Sequence, residues 1–195
     1  YLSGQSSERD YKMRAHELLI DTLGPSVLPQ LLADQKYKEI CDRAKAVINK
    51  TNLIHQYEKI WLTNGLAKSG AQESFAHALT VLLYGEKPLQ ERFEKFASML
   101  YEINAAKWPI ATYFLFLSDP GAQMFVKPEV TKSAAEVLGI DINYKPELNW
   151  LTYSQVVQLA EAIRAKLIKE DKDDLVPRDM VDVQSFIWVT APSYS

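Results

Sequence analysis

"KWPIATYFLFLSDPGAQMFVKP", residues 107–128, decides the fold. Nine almost wholly apolar residues run from Pro109 to Leu117, and Asp119-Pro120-Gly121 closes the run. A membrane-spanning helix needs about 20 apolar residues. The stretch is therefore expected inside a globular core, and no membrane is expected as a partner. Its local conformation is less plain. The run is rich in aromatic residues, which suit strands, and shows no clean helical period. A strand needs a neighbour, and the only one nearby is "QMFV", residues 123–126. Its place among helices and its opening at Trp108-Pro109 favour a fully buried helix. A two-stranded pairing is the alternative.

Outward from that stretch the chain reads as helix after helix. "DQKYKEICDRAKAVINK" (34–50) puts Tyr37, Ile40, Cys41, Ala44, Val47 and Ile48 on one stripe. Asp34 stands at its expected N-cap, and Lys50 in its last turn suits the helix dipole. "SSERDYKMRAHELLIDTLGP" (6–25) carries Tyr11, Ala15, Leu18 and Leu19, with Gly24-Pro25 as the stop. "LIHQYEKIWLTNGLAK" (53–68) offers Leu53, Tyr57, Ile60 and Trp61 as its apolar stripe, with Asn64-Gly65 able to break it. "AQESFAHALTVLLYGE" (71–86) and "KPLQERFEKFASMLYEIN" (87–104) each carry a clear apolar face, and Pro88 belongs near a helix start. Beyond the central stretch, Pro128 opens a helix that Gly139 stops. Thr152 or Ser154 is expected to cap a long one, and "KEDKDD" (169–174) reads as a solvated loop. "PRDMVDVQSFIWV" (177–189) reads as a closing helix, with enough alternation to allow a strand. Short gaps imply antiparallel neighbours.

The expected fold is mainly α: a single helical bundle-like domain over 1–195, with one short two-stranded element near 110–126 as the alternative. A helical half (about 1–104) precedes an aromatic-core half (about 105–195).

Composition narrows the function classes. The 22 Lys and Arg against 25 Asp and Glu leave a net charge of -3. Nucleic-acid modules usually carry a basic excess, so such a role needs a local patch here. The single Cys41 forms no intrachain disulfide and supplies no zinc-type spacing, which points to a reducing, cytoplasmic setting. The chain begins at Tyr1 without a leader-like stretch and reads as a trimmed chain or a piece of a longer protein. Dinucleotide, P-loop, zinc-protease and serine-hydrolase motifs are all missing. Seven glycines leave little room for a phosphate-cradling loop. No cofactor and no metal are expected.

The candidate chemistry is sparse. His16, His55 and His77 fall on separate helices, and Cys41 lies on an apolar stripe without an evident base. Asp119 with Lys127 resembles half of a nuclease centre, but Phe125 occupies the place of the second carboxylate. Asp179 and Asp182 share a helix face beside Arg178. They read as capping and ion pairing, or less readily as Mg²⁺ ligands of a hydrolase. Gln184 among apolar residues needs a partner if buried. Trp108, Trp150 and Trp188 read as core before they read as a stacking platform for bases. The candidate functional surface is therefore Lys107, Trp108, Lys127, Lys132, Trp150, Arg178, Asp179, Asp182 and Gln184.

From "KWPIATYFLFLSDPGAQMFVKPEVTKSAAEVLGIDINYKPELNWLTYSQV" and the later "PRDMVDVQSFIWV", the segment from about 100 to 190 resembles an uncharacterised bacterial domain family. Some of its members occur in restriction- or defence-like proteins. The resemblance implies a nucleic-acid-linked setting and carries no catalytic residues with it. The function expected is a non-catalytic binding or scaffolding module, its partner a protein or a nucleic acid. The alternatives are a nucleic-acid-associated module and, more remotely, a metal-dependent hydrolase. Convergence of Lys107, Lys127, Lys132 and Arg178 beside an exposed Trp would favour nucleic acid.

Overall fold

A computed structural model describes residues 6–170 and 176–191, and among these it contains ten α-helices and no strand. They are α1 (Ser6–Leu23), α2 (Leu28–Ala33), α3 (Tyr37–Asn49), α4 (Gln56–Leu66) and α5 (Ala71–Tyr84). The rest are α6 (Leu89–Glu102), α7 (Trp108–Ser118), α8 (Pro128–Leu138), α9 (Trp150–Glu170) and α10 (Met180–Thr190).

The deciding stretch is α7, and every residue from Trp108 to Leu117 is buried. A helix apolar on all sides belongs in the middle of a fold. Accordingly α1, α4, α5 and α6 all pack around α7. Complete burial also explains the missing period, since no side of the helix had to be polar. The strand alternative fails for a local reason. Residues 123–127 run irregularly, and the Val126 N–H donates to Thr112 Oγ1 at 3.0 Å instead of joining a ladder. Thr112 Oγ1 in turn donates to the Trp108 carbonyl one turn back, at 2.8 Å.

The core is tied together by aromatic contacts across helices. Phe75 and Phe96 meet Phe114 edge-on at 6.3 and 6.4 Å, which joins α5 and α6 to α7. Phe93 stacks on Tyr153 of α9 at 4.9 Å with the rings nearly parallel. Ring pairs of this kind add about 0.5–1.5 kcal/mol beyond area burial.

Several local expectations are corrected. Asp34 does not cap α3: it ends α2, a helix of six residues absent from the sequence reading, and Lys36 is the N-cap. Gln35 between them adopts a left-handed φ of 54°, which separates the two helices. Asn64-Gly65 does not break α4, because both residues lie within it. At the start of α9 the cap is Asn149, whose Oδ1 accepts from Thr152 N–H at 2.8 Å; neither Thr152 nor Ser154 caps it. Residues 181–189 are helical, and α10 starts at Met180 behind the N-cap Asp179 rather than at Pro177. Of the expected loop at 169–174, Lys169 and Glu170 belong to α9, and the rest lies outside the described residues. Gly139 does stop α8, with the left-handed φ of 63° that glycine tolerates.

Candidate functional site

The nine residues singled out by sequence do not form one surface. Trp108 is 2% exposed, and its indole N–H donates to the Lys145 carbonyl at 3.0 Å, which makes it an interior peg. Trp150 is half-buried against Phe93 and Tyr153. Lys127 donates to the Leu53 carbonyl at 3.0 Å. Lys132 pairs with Glu129 at 2.8 Å and lies over the Tyr144 ring. Gln184 is 2% exposed, and its Oε1 accepts no hydrogen bond among the described residues.

Arg178, Asp179 and Asp182 are brought together, with Arg9 of α1 as an unforeseen fourth member. The Arg9 guanidinium forks onto both Asp179 oxygens at 2.7 Å each and reaches Asp182 Oδ1 at 3.0 Å. Arg178 approaches Asp182 through Nε at 2.8 Å, Nη2 at 3.2 Å and its backbone N–H at 2.9 Å. Asp179 Oδ1 also caps α10 by accepting from Val181 and Asp182 N–H. Burial pushes the Asp182 carboxyl upward, but hydrogen bonds from Arg178 and the charges of Arg9 and Arg178 outweigh it. Its pKa lies below the usual carboxylate value. Two carboxylates matched by two guanidiniums form a fastening between α1 and α10.

Deeper along the same pair of helices, Lys12 Nζ donates to Ser185 Oγ at 2.8 Å. Serine beside lysine is a pairing used in nucleophilic catalysis. Here Ser185 donates its own proton to the Val181 carbonyl, and the two residues are 0% and 2% exposed. No substrate atom has a route to that oxygen. Cys41 is likewise interior, and burial pushes its thiol up to about 12. The histidines stay apart: His16 bonds the Leu117 carbonyl, His55 caps α4 and His77 faces the Tyr37 ring. Among the described residues no group of three or more His, Cys, Asp and Glu side chains is arranged to hold a metal.

The feature that sequence reasoning placed wrongly is the outer face of α4. Periodicity assigned Tyr57, Ile60 and Trp61 to its inward stripe. In the structure they are 66%, 42% and 43% exposed, while Leu62, Gly65 and Leu66 are buried. The helix has two apolar faces, and Gly65 selects between them. A Cβ there would lie 2.5 Å from the Ile103 carbonyl oxygen, so only a side-chain-free position brings the backbones so near. The small residue at that position was the available signal. The outward stripe is flanked by charge: Lys107 Nζ sits 4.4 Å from the centre of the Trp61 ring. His55 stacks on Tyr57 at 5.2 Å.

An apolar concavity of about 400 Å³ lies between α8, α9 and α10, lined by Val137, Leu138, Ile163, Leu167, Phe186 and Ile187. Two further lining residues, Glu170 and Ala191, adjoin stretches outside the described residues.

What these features define is a mainly α-helical chain with a partly buried polar fastening and an outward aromatic stripe. No helix among the described residues is long and apolar enough to cross a membrane. No protein-family model matches the chain, and no curated protein and no solved structure matches it significantly.

Proposed function

We propose that this chain is a non-catalytic binding module whose working surface is the outer face of α4. The observation that carries this reading is the exposure of Tyr57, Ile60 and Trp61, at i, i+3 and i+4, on a helix already packed by its opposite face. Neighbouring apolar side chains left in water are costly to keep, and such patches mark interaction surfaces. Tryptophan and tyrosine are also the residues that most often dominate binding energy at interfaces. The polar groups with chemical potential are, by contrast, consumed: Asp179 and Asp182 by guanidiniums, Ser185 by a backbone carbonyl and Cys41 by burial.

A nucleic-acid partner is a second reading, favoured by the Lys107 ammonium on the half-exposed Trp61 ring. Against it, Lys132 and Arg178 are tied to carboxylates elsewhere, and the net charge is -3.

Photocrosslinking tests the proposal. A photoreactive phenylalanine analogue at Tyr57, in the native cell, is expected to give one discrete adduct that disappears in a Trp61→Ala background. The same analogue at exposed Gln90 serves as control. Equal adducts from both positions, or none from Tyr57, would remove α4 as the working face.

A further inference from the structure

The first turn of α4 is held by its cap rather than by packing. None of residues 56–61 is buried, and Leu62 is the first side chain of the helix to enter the core. What closes the turn is His55. Its Nδ1 accepts from the Tyr57 N–H at 3.3 Å, and its own N–H donates to Glu58 Oε2 at 2.8 Å. Its carbonyl accepts from the Glu58 and Lys59 N–H groups at 3.0 and 3.2 Å. The imidazole also stacks on the Tyr57 ring at 5.2 Å, and both side chains are exposed. The usual N-cap acceptor is an oxygen of Ser, Thr, Asp or Asn. A ring nitrogen accepts only while it carries no proton, so this bond fixes the neutral imidazole with its hydrogen on Nε2. Histidine is the side chain that ordinarily changes charge between pH 5 and 8.

We propose that His55 is a proton-operated latch on α4: the neutral ring keeps the first turn closed, and uptake of a proton at Nδ1 opens it. The proton turns the acceptor into a donor facing the Tyr57 N–H, and two N–H groups cannot bond each other. The imidazolium also stands at the positive end of the helix dipole, where a cation is unfavourable. Lys59 of α4 and Lys127, ahead of α8, add no negative charge. Their ammonium groups lie on the Thr51 and Leu53 carbonyls, at 2.7 and 3.0 Å. Glu58 would draw the imidazolium, but a ring turned toward Glu58 leaves the Tyr57 N–H all the same. Among the described residues, α3, α5 and α7, which pack on α4, place no side chain in a hydrogen bond, ion pair or ring contact with the imidazole. A turn that buries nothing opens without disturbing the core, and such helix ends are where local unfolding begins. Resting on the reading of α4 as the working face, the latch sets whether Tyr57 is presented in register with Ile60 and Trp61.

The free chain is titrated by NMR from about pH 8 to about pH 5, the range in which histidine ordinarily charges. The helical Cα shifts of Gln56, Tyr57 and Glu58 are expected to move toward random-coil values, with the midpoint of the His55 ring protons. Protection of the Tyr57 amide, corrected for the intrinsic exchange rate at each pH, should fall about three- to tenfold, the effect of losing a cap. His55→Asn caps without titrating, so its first turn should stay helical throughout. His55→Ala should be open throughout. Helical shifts that persist in the wild-type chain while the His55 ring titrates overturn the latch. The same loss in His55→Asn overturns it and assigns the change to Glu58. A first turn that stays helical in His55→Ala overturns it as well, because the cap is then not what holds the turn. The measurement needs no partner. The latch can therefore fail with α4 still the working face, and it can stand where crosslinking from Tyr57 finds nothing.

Discussion

Gly65 of α4 lies so near Ile103, just past the end of α6, that a methyl group at position 65 would sit 2.5 Å from the Ile103 carbonyl oxygen. This approach holds the Leu62/Leu66 side of α4 against the core and leaves Tyr57 and Trp61 outside. Alanine in a helix interior normally stabilises relative to glycine by up to about 1 kcal/mol. Here backbone must move to admit it, and a net loss of about 1–3 kcal/mol is expected for Gly65→Ala. Chemical denaturation decides the sign, and a stabilised variant would show that α4 can step away from Ile103 freely.

Asp182 is 3% exposed and serves two guanidiniums, whereas the Arg178 side chain is 64% exposed. Removing the carboxylate leaves Arg9 without one of its partners in a half-closed site, so Asp182→Ala should cost about 2–4 kcal/mol. Arg178→Ala, at the rim, should cost about 1 kcal/mol or less. Equal losses in the two variants would mean that burial does not govern this cluster.

The same carboxylate has a pH signature. Its folded pKa is lowered, so its contribution is complete above the unfolded value of about 3.9 and is lost as pH falls through the lower folded value. Thermal midpoints should therefore decline below about pH 4, less steeply in Asp182→Asn. A wild-type profile with the same slope as the variant would contradict the assignment.

Thr112 joins α7 to the segment that follows it, by accepting from Val126 N–H and donating to the Trp108 carbonyl. Thr112→Val keeps the shape and orphans a buried N–H, at an expected cost of about 1–3 kcal/mol. Hydrogen exchange at the Val126 amide should accelerate in parallel, and unchanged protection there would refute the link.

Tyr113 presents the opposite case. Its hydroxyl is buried with no hydrogen-bond partner among the described residues, and burial drives its pKa upward. Thr51, whose hydroxyl accepts from the Leu53 N–H at 3.0 Å, is a polar neighbour that opposes the shift. Tyr113→Phe deletes an unsatisfied group and should be neutral or stabilising by up to about 1 kcal/mol. A marked loss of stability would reveal a partner for that hydroxyl.

Much of the fold is legible in one dimension where one helix face is polar. Ile40, Cys41, Ala44, Val47 and Ile48 of α3 were placed correctly because Lys38, Asp42 and Lys45 leave only one side to bury. The capping and ion pairing of Asp179 and Asp182 were readable from their place in the first turn of α10. Arg9, 170 positions away from Asp179, was not, since no local pattern encodes so distant a partner.

Helical class, the interior fate of residues 109–117 and the stops at Gly24 and Gly139 follow from composition, periodicity and backbone freedom, all properties of neighbours along the chain. Which apolar side of α4 meets the core was decided only when distant helices came together. A helix with two apolar faces carries no local preference between them. The choice falls to the closest backbone approach, and at Ile103 only a glycine permits it.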